Sequence, residues 1–250
     1  MNNKNILFIT EGETDEPNFI KKYLKKCIPN VEYNIYSYST TIHTLAKLLF
    51  GKDNEIDEDL NIKNVLKENE TDKIKRSILE NDYTDIILVF DFEPHCDSPE
   101  FIKVGKMLEY FKDSSDMGKL YINYPMMQSY RHLTNLPDNV FKDRKIYKVD
   151  APKYKDIVNN ESKFKNINKY NFPVLMKIIG HHLMKANYIL NNNYSVPSKE
   201  EFYKLDFEKI YKIQMKLNDK EGWIWVLNTF LFFAIEYNPI KIINKINEFL

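Results

Sequence analysis

The chain has 250 residues, of which 43% are hydrophobic and 14% aromatic, and this composition is typical of a globular protein. Lysine and arginine together number 36, as do aspartate and glutamate, so the net charge is zero and a basic field over the whole surface is excluded. Any contact with nucleic acid therefore has to be a local patch. The two cysteines, Cys27 and Cys96, cannot build a disulfide framework, and no basic-then-apolar segment opens the sequence, so we expect a cytoplasmic protein.

Strand and helix signals alternate in the first half of the chain. The apolar, β-branched run "NILFIT" is typical of a central parallel strand that is covered on both faces. Asp15 or Glu16 can cap the helix that follows, with Pro17 in its first turn. This alternation favours a parallel α/β sheet with right-handed crossovers. The later predicted elements are a strand at 31–39, a helix at 42–50, charged surface helices at 51–82, a strand at 84–97 that ends in acids, a helix at 101–112 and a strand at 119–125.

Strand signals fade in the second half, and helices are predicted at 172–191, 207–217, 222–236 and 240–250. The most apolar stretch, 223–235, is too short to span a bilayer, so we expect a buried helix and no membrane partner. Its aromatic residues are assigned to the core and not to a base-stacking platform, because no basic residue is interleaved with them. The predicted organisation is an α/β domain over 1–150, in which 51–82 is a charged excursion, followed by a helical region over 151–250 packed on it.

Carboxylates follow two of the predicted strands at the point where each ends. Glu11 follows the first strand, and Asp91, Glu93 and Asp97 follow the strand that starts near residue 84. The carboxyl ends of neighbouring parallel strands meet at one edge of a sheet, and like charges gathered there are unfavourable unless a cation joins them. Hard divalent ions with oxygen ligands, Mg²⁺ or Mn²⁺, suit such a cluster. We therefore predict a metal site formed by these four acids, although each acid taken singly is also consistent with an ordinary turn.

The segments "EGETDEPNF" and "LVFDFEPHCD" resemble the TOPRIM domain of the OLD-like and RloB-like bacterial nucleases. That family has E-G-x-T-E and a phenylalanine after one strand, and D-x-D after a later strand. Glu93 stands where the family has its second aspartate, and in "YPMMQS" Gln128 stands where an acid is expected. The matching positions are Glu11, Gly12, Thr14, Asp15 or Glu16, Phe19, Asp91 and Glu93.

The resemblance implies an α/β TOPRIM-like fold and an Mg²⁺- or Mn²⁺-dependent phosphodiester nuclease that cuts DNA or RNA, tRNA included. Glu11, Asp91 and Glu93 would be catalytic. It further implies an anti-phage defence effector that works beside a separate ATPase, and the chain itself has no G-x-x-x-x-G-K-[ST] loop. The alternative is a catalytically weak TOPRIM-like module that binds or regulates a partner, and the departures at Glu93 and Gln128 favour it. The supporting residues would be Gly12, Thr14, Asp15, Glu16 and Gln128.

Cations that could face a phosphate are present on the first helix and after residue 130, although each is also consistent with a solvated surface. The adjacent pair His181 and His182 points in directions about 100° apart on a helix and cannot face one ion. The apolar C-terminal helices offer a surface for a homodimer. The predicted phosphate-binding residues are Lys21, Lys22, Arg131, Arg144 and Lys145.

Overall fold

The computed structural model describes residues 4–50, 55–97 and 99–250, so positions 51–54 of the predicted excursion lie outside the described residues. The chain forms two compact units. The first comprises residues 1–91 and 97–121, and the second comprises residues 92–96 and 122–250. The division therefore falls earlier in the chain than the boundary near residue 150 that the sequence suggests.

The first unit is a layer of largely parallel strands with helices packed on them. Strand β1 pairs in parallel with β2 on one side and with β3 on the other. The strand order in the sheet is β2-β1-β3-β5-β4. The elements are β1 (Asn5–Thr10), α1 (Asp15–Cys27), β2 (Glu32–Ser37), α2 (Ile42–Leu49), α3 (Ile62–Asn69), α4 (Lys73–Glu80), β3 (Asp85–Asp91), α5 (Phe101–Tyr110), β4 (Lys112–Asp113) and β5 (Gly118–Tyr124), which continues into the second unit.

Hydrophobic burial explains why β1 occupies an interior position in this sheet. The four residues from Ile6 to Ile9 are fully buried, as expected for a strand covered on both faces. Helix α1 buries Phe19, Ile20 and Leu24, while Lys21 on its other side is exposed. This 3.6-residue periodicity turns one face of the helix to the sheet. The predicted class, a mostly parallel α/β sheet flanked by helices and followed by a helical half, is confirmed.

The second unit is mainly helical. Helices α7 and α11 pack closely at Gly180, where any larger side chain would overlap Ile246 and Leu250. Its helices and strands are α6 (Tyr154–Glu161), α7 (Phe172–Asn191), α8 (Lys199–Phe202), α9 (Phe207–Lys220), α10 (Phe233–Tyr237), α11 (Pro239–Phe249), β6 (Lys145–Tyr147), β7 (Trp223–Trp225) and β8 (Leu227–Asn228). Short 3-10 helices lie at Met127–Arg131, Phe141–Asp143, Lys148–Lys153, Ile167–Lys169 and Phe230–Phe232.

The helix predicted over 222–236 is wrong for its first half. Strand β7 pairs antiparallel with β6, and β8 pairs antiparallel with the end of β5. Gly222 adopts a left-handed φ of 69°, a conformation that interrupts a helix, and a strand follows it at once. Trp223 and Trp225 are half-buried while Ile224 between them is buried, so burial alternates with the period of two that defines a strand. Helical geometry begins only at the 3-10 helix Phe230–Phe232.

None of the helices within the described residues combines the length and the apolar character that crossing a bilayer requires. The longest of the segments predicted to be helical from sequence, 172–191, is the 20-residue helix α7. Asn171 caps this helix by accepting a hydrogen bond from the backbone N–H of Val174 at 2.9 Å, and Pro173 occupies its first turn.

Candidate functional site at the ends of the first and third strands

The order of the strands places the carboxyl ends of β1 and β3 at a switch in topology. From β1 the chain moves to β2 on one side, and it later returns to form β3 on the other side. In open parallel sheets, ligands bind outside the carboxyl ends of the strands at such a switch. Glu11 is the residue directly after β1, and Asp91 is the last residue of β3. The fold thus brings two of the predicted site residues to the edge where ligands usually bind.

Hydrogen bonds hold Glu11 against the end of β3. The backbone N–H of Asp91 donates to Oε2 of Glu11 at 3.2 Å, and the backbone N–H of Glu11 donates to the carbonyl oxygen of Val89 at 3.3 Å. On the other side, the N–H of Ser39 donates to the carbonyl oxygen of Glu11 at 2.9 Å. Asp91 is buried and Glu11 is half-buried. The Glu11 carboxylate is therefore fixed at the strand end and does not extend into solvent.

A third carboxylate lies over the turn that follows Glu11. A Cβ atom added to Gly12 would overlap the carboxylate of Glu16, which is buried in the first turn of α1. The hydroxyl of Thr10 donates to the carbonyl oxygen of Gly12 at 3.0 Å and fixes the backbone of the turn. The missing side chain of Gly12 therefore leaves the space that the end of the Glu16 side chain fills. Thr14 occupies the N-cap position of α1 without a side-chain capping bond, and it is exposed, as is Asp15.

The other predicted site residues differ from one another in burial and in local contacts. Glu93 belongs to the second unit, adopts a left-handed φ of 47°, and donates its N–H to the carbonyl oxygen of Pro125 at 3.3 Å. Burial raises the pKa of Glu93 above its ordinary value, and the nearby His95 offsets part of this rise. Asp97 is exposed, and Gln128 is buried in the 3-10 helix Met127–Arg131. Across the described ranges, no three His, Cys, Asp or Glu side chains are arranged to hold a metal ion.

The two predicted arginines take part in contacts inside the second unit. Arg131 is buried and donates to Oδ1 of Asn159 at 2.8 Å. Arg144 donates to Oε2 of Glu161 at 3.2 Å and contacts His132 at 3.2 Å. Both guanidinium groups therefore have a visible structural role, which the sequence pattern alone did not indicate.

The predicted lysines are more accessible than the arginines. Lys21 on α1 is exposed and Lys22 is half-buried. Lys145 is exposed, and its Nζ lies 4.4 Å from the ring centroid of Trp223. This contact places the exposed Lys145 beside an aromatic side chain.

The adjacent histidines of α7 accept hydrogen bonds from buried backbone groups. The N–H of Asp138 donates to Nε2 of His181 at 3.0 Å, and the N–H of Asn228 donates to Nδ1 of His182 at 3.0 Å. Burial lowers the pKa of His181 to about 4 and lowers the pKa of His182 well below its ordinary value. These contacts agree with the expectation that the pair does not share an ion.

Lys75 is a functional candidate that the sequence did not indicate. Its Nζ contacts Oε1 of Glu13 at 2.7 Å, the carbonyl oxygen of Ser37 at 3.2 Å and the hydroxyl of Ser39 at 3.0 Å. The hydrogen bond from Lys75 holds the pKa of Glu13 below its ordinary value, and Ser39 adds to this effect. Lys75 is 62 positions away from Glu13 within a run of charged residues, so no local pattern could have paired them.

A cavity of about 600 Å³ lies beside this ion pair within the first unit. Its volume is in the range of small-molecule sites. The hydroxyl of Tyr36 donates to Oε2 of Glu70 at 2.8 Å across the lining. Aromatic, apolar and charged side chains share the wall, among them Tyr36, Tyr38, Lys47, Leu48, Glu70 and Lys75.

Comparisons with family models, with curated proteins and with solved structures find no match to this chain. The resemblance to the TOPRIM domain consequently rests on the two acidic motifs and on their order along the chain. Glu11 and Asp91 lie at the ends of two adjacent parallel strands, with the carboxylate of Glu16 over the glycine that follows Glu11.

Proposed function

We propose that the protein is an Mg²⁺- or Mn²⁺-dependent phosphodiester nuclease of the TOPRIM type that acts on DNA or RNA. The observation that carries this proposal is the position of Glu11 and Asp91 on neighbouring strand ends, where the Asp91 backbone N–H donates to the Glu11 carboxylate at 3.2 Å. Carboxylate oxygens are the ligands that hard divalent cations prefer. The topological switch between β1 and β3 is where a sheet of this kind binds its ligand.

Glu11 and Asp91 fit a hard cation in donor chemistry and in position on the sheet, and they are the proposed ligands. A bound Mg²⁺ or Mn²⁺ would neutralise charge on the phosphate and lower the pKa of a coordinated water. The Glu16 carboxylate over Gly12 is the group on this chain best placed to orient a water beside Glu11. Glu93 and Asp97 are further ligands predicted from the sequence. A cation near Glu93 would lower the pKa of this side chain, which burial raises.

A second candidate is a binding or regulatory module of the TOPRIM type with little catalytic activity. Two observations favour it. No set of three acidic, histidine or cysteine ligands is formed among the residues that the structure describes, and Glu13 in the same loop is engaged by Lys75. Such a module would bind a separate ATPase or another partner. In either form, we place the protein in the cytoplasm as an effector of anti-phage defence, a role that rests on the TOPRIM resemblance.

Cation binding can be measured by chemical unfolding in the presence of increasing Mg²⁺ or Mn²⁺. A ligand that binds only the folded protein raises the free energy of unfolding by about 2.7 kcal/mol when its free concentration is 100-fold above Kd. We expect this stabilisation in the natural protein and its loss in Glu11→Gln and Asp91→Asn. Glu13→Gln is the matched control, because Glu13 lies in the same loop but is bound to Lys75, and it should retain the response.

Cleavage separates the two candidate functions. Labelled DNA and RNA incubated with the protein and Mn²⁺ should be cut by the natural chain and not by Glu11→Gln. A cation response without cleavage would favour the regulatory module. If millimolar Mg²⁺ and Mn²⁺ leave the unfolding of the natural protein unchanged, the metal site is not there and the nuclease proposal fails.

A further inference from the structure

Strands β6 and β7 form a two-stranded antiparallel sheet in the second unit. Lys145 lies opposite Trp225 and Tyr147 lies opposite Trp223, and the isoleucine pair between them is buried. Because successive side chains of a strand alternate between its faces, these four residues share the face opposite the buried isoleucines. Lys145 is exposed, Tyr147 is 48% exposed, and both tryptophans are half-buried. We call Lys145, Tyr147, Trp223 and Trp225 the aromatic face.

One lysine lies among the rings of the aromatic face, and a second lysine lies beside the face. The Nζ of Lys145 lies 4.4 Å from the ring centroid of Trp223 and 5.3 Å from that of Tyr147. The two tryptophan rings are 4.8 Å apart and meet edge to face at 79°. Beside them, Lys142 lies 4.4 Å above the ring of Tyr188, which is itself 6.2 Å from Trp225. No basic residue is interleaved with the tryptophans along their own segment, and the lysines beside them come from a distant part of the chain.

Trp225 of the aromatic face is held from behind by buried side chains. The side-chain amide of Gln214 donates to the carbonyl oxygen of Trp225 at 3.0 Å and accepts from its N–H at 2.9 Å. Gln214 is fully buried. The fully buried Lys185 packs its Nζ 4.9 Å from the Trp225 ring. A surface whose rings are fixed in advance loses little conformational entropy when a ligand stacks on it.

We propose that the aromatic face binds single-stranded nucleic acid, with unpaired bases stacked on Tyr147 and the tryptophans and with phosphates next to Lys142 and Lys145. Every base has a flat π face, so exposed rings beside cations bind single strands with little sequence preference. Charge complementarity selects this ligand, because the segment "KDRKIYK" that supplies β6 carries four cations and one acid. In a duplex the bases stack on each other and are closed to such a surface. The inference rests on the proposed function in one respect, which is that the single strand would be the substrate of the proposed nuclease.

The chain has two tryptophans and both lie on the aromatic face, so intrinsic fluorescence reports binding directly. The natural protein would be titrated with mixed-sequence single-stranded RNA and DNA oligonucleotides in EDTA, which prevents metal-dependent cleavage. We expect saturable quenching by both oligonucleotides that weakens as salt is added. A duplex of the same sequence should quench much less.

Two variants test the individual contacts. Tyr147→Ala removes a stacking ring and should weaken binding about tenfold. Lys145→Gln should reduce the slope of log affinity against log salt by about 0.7, the value expected for one lost phosphate contact with a single strand. The controls are Tyr203→Ala, a 60% exposed tyrosine of the same unit, and Lys63→Gln, which removes a lysine placed 5.3 Å over the Tyr83 ring in the first unit. Both controls should bind like the natural protein.

The result that overturns the proposal is the absence of saturable quenching by either oligonucleotide, or equal affinities for Tyr147→Ala, Tyr203→Ala and the natural protein. Equal binding of the duplex would also overturn it. The variant Glu11→Gln distinguishes a failure of this proposal from a failure of the nuclease proposal, because it removes the proposed metal ligand and leaves the aromatic face intact. Quenching retained in Glu11→Gln supports single-strand binding whether or not the natural protein cuts.

Discussion

One group of charged residues in each unit shows how differently charges are arranged in this protein. In the first unit, Glu11 and Asp91 lie at the ends of adjacent strands, and the Glu16 carboxylate of α1 lies over Gly12, the residue after Glu11. In the second unit, acids and bases alternate, and Arg144 lies between Glu161 at 3.2 Å and Asp138 at 3.7 Å. In an alternating network each charge has a partner of opposite sign, whereas a group of like charges favours the binding of an ion of opposite sign. The comparison separates charges that stabilise the fold from charges that are candidates for function.

The alternating network continues through a buried histidine. Nδ1 of His132 contacts the hydroxyl of Tyr154 at 3.0 Å, and its Nε2 contacts Glu161 at 3.0 Å and Arg144 at 3.2 Å. The Nζ of Lys185 donates to backbone carbonyl oxygens, including that of Phe141 at 2.9 Å. Each side chain of this network thus has a partner, and the buried parts are costly to disturb.

Removing Asp138 should have the largest effect on stability. Its carboxylate accepts from the N–H groups of Thr134 at 2.7 Å and Val140 at 3.0 Å. Although burial raises the pKa of Asp138, these hydrogen bonds and the charge of Arg144 hold it below its ordinary value. Breaking a buried charge network from one side costs about 3–5 kcal/mol, and we expect Asp138→Ala to lose that much in urea unfolding. The exposed Asp156→Ala should change stability by no more than about 0.5 kcal/mol, and equal losses in both variants would contradict a special role for this network.

The pH dependence of stability provides a second test of the network. Burial, together with the charges of Arg144 and Lys185, lowers the pKa of His132 to about 4 in the folded protein against the opposing effect of Glu161. The unfolded chain, with a pKa near 6.5, therefore binds the proton more readily between pH 6.5 and 4. The contribution of His132 to the free energy of unfolding is therefore complete above pH 6.5. It falls by about 3 kcal/mol as the pH drops through this window, as expected for a pKa shift of this size. Urea unfolding of His132→Gln should show a shallower pH dependence than the natural protein, and identical slopes would refute the assignment.

Gly12→Ala should have the smallest effect on stability but a selective effect on the candidate site. The added methyl group overlaps only the far end of the flexible Glu16 side chain, so we expect a cost of about 1 kcal/mol, the low end for overpacking. We expect the cation-induced stabilisation to weaken because Glu16 has to move away from the turn. The double variant Gly12→Ala/Glu16→Ala should recover most of the lost stability, since the two positions are coupled. Additive losses in this double-mutant cycle would show that Glu16 does not fill the space beside Gly12.

The sequence predicts the first unit well because its signals are local. Apolar runs define β1 and β3, and the acids that follow them are read directly from the sequence. That Glu11 meets the end of β3 follows from the pairing of two parallel strands, a strong regularity of α/β folds. By contrast, the pairing of Lys75 with Glu13 depends on how the charged excursion packs, and no regularity of spacing encodes it.

The second unit is predicted less well, for two physical reasons. The segment 223–235 is apolar without interruption, and such a run does not distinguish a strand from a buried helix. Only pairing with Lys145–Tyr147 makes Trp223–Trp225 a strand, and that partner lies far away in the sequence. Arg144 is an ordinary surface cation by its neighbours in the chain. Its contact with Glu161, 17 positions later, appears only when α6 is in place.

The contact between Lys75 and Glu13 makes the attachment of α4 to the loop after β1 sensitive to ionic strength. It joins the charged excursion to the loop that carries Glu11, and Glu13 lies at the surface, where dissolved ions reach it. Counterions screen exposed charges within a Debye length of about 8 Å at physiological salt. Concentrated salt therefore loosens the attachment of α4 to this loop while leaving the buried strands untouched. Preparations made in dilute and in concentrated buffer are therefore expected to differ at this loop.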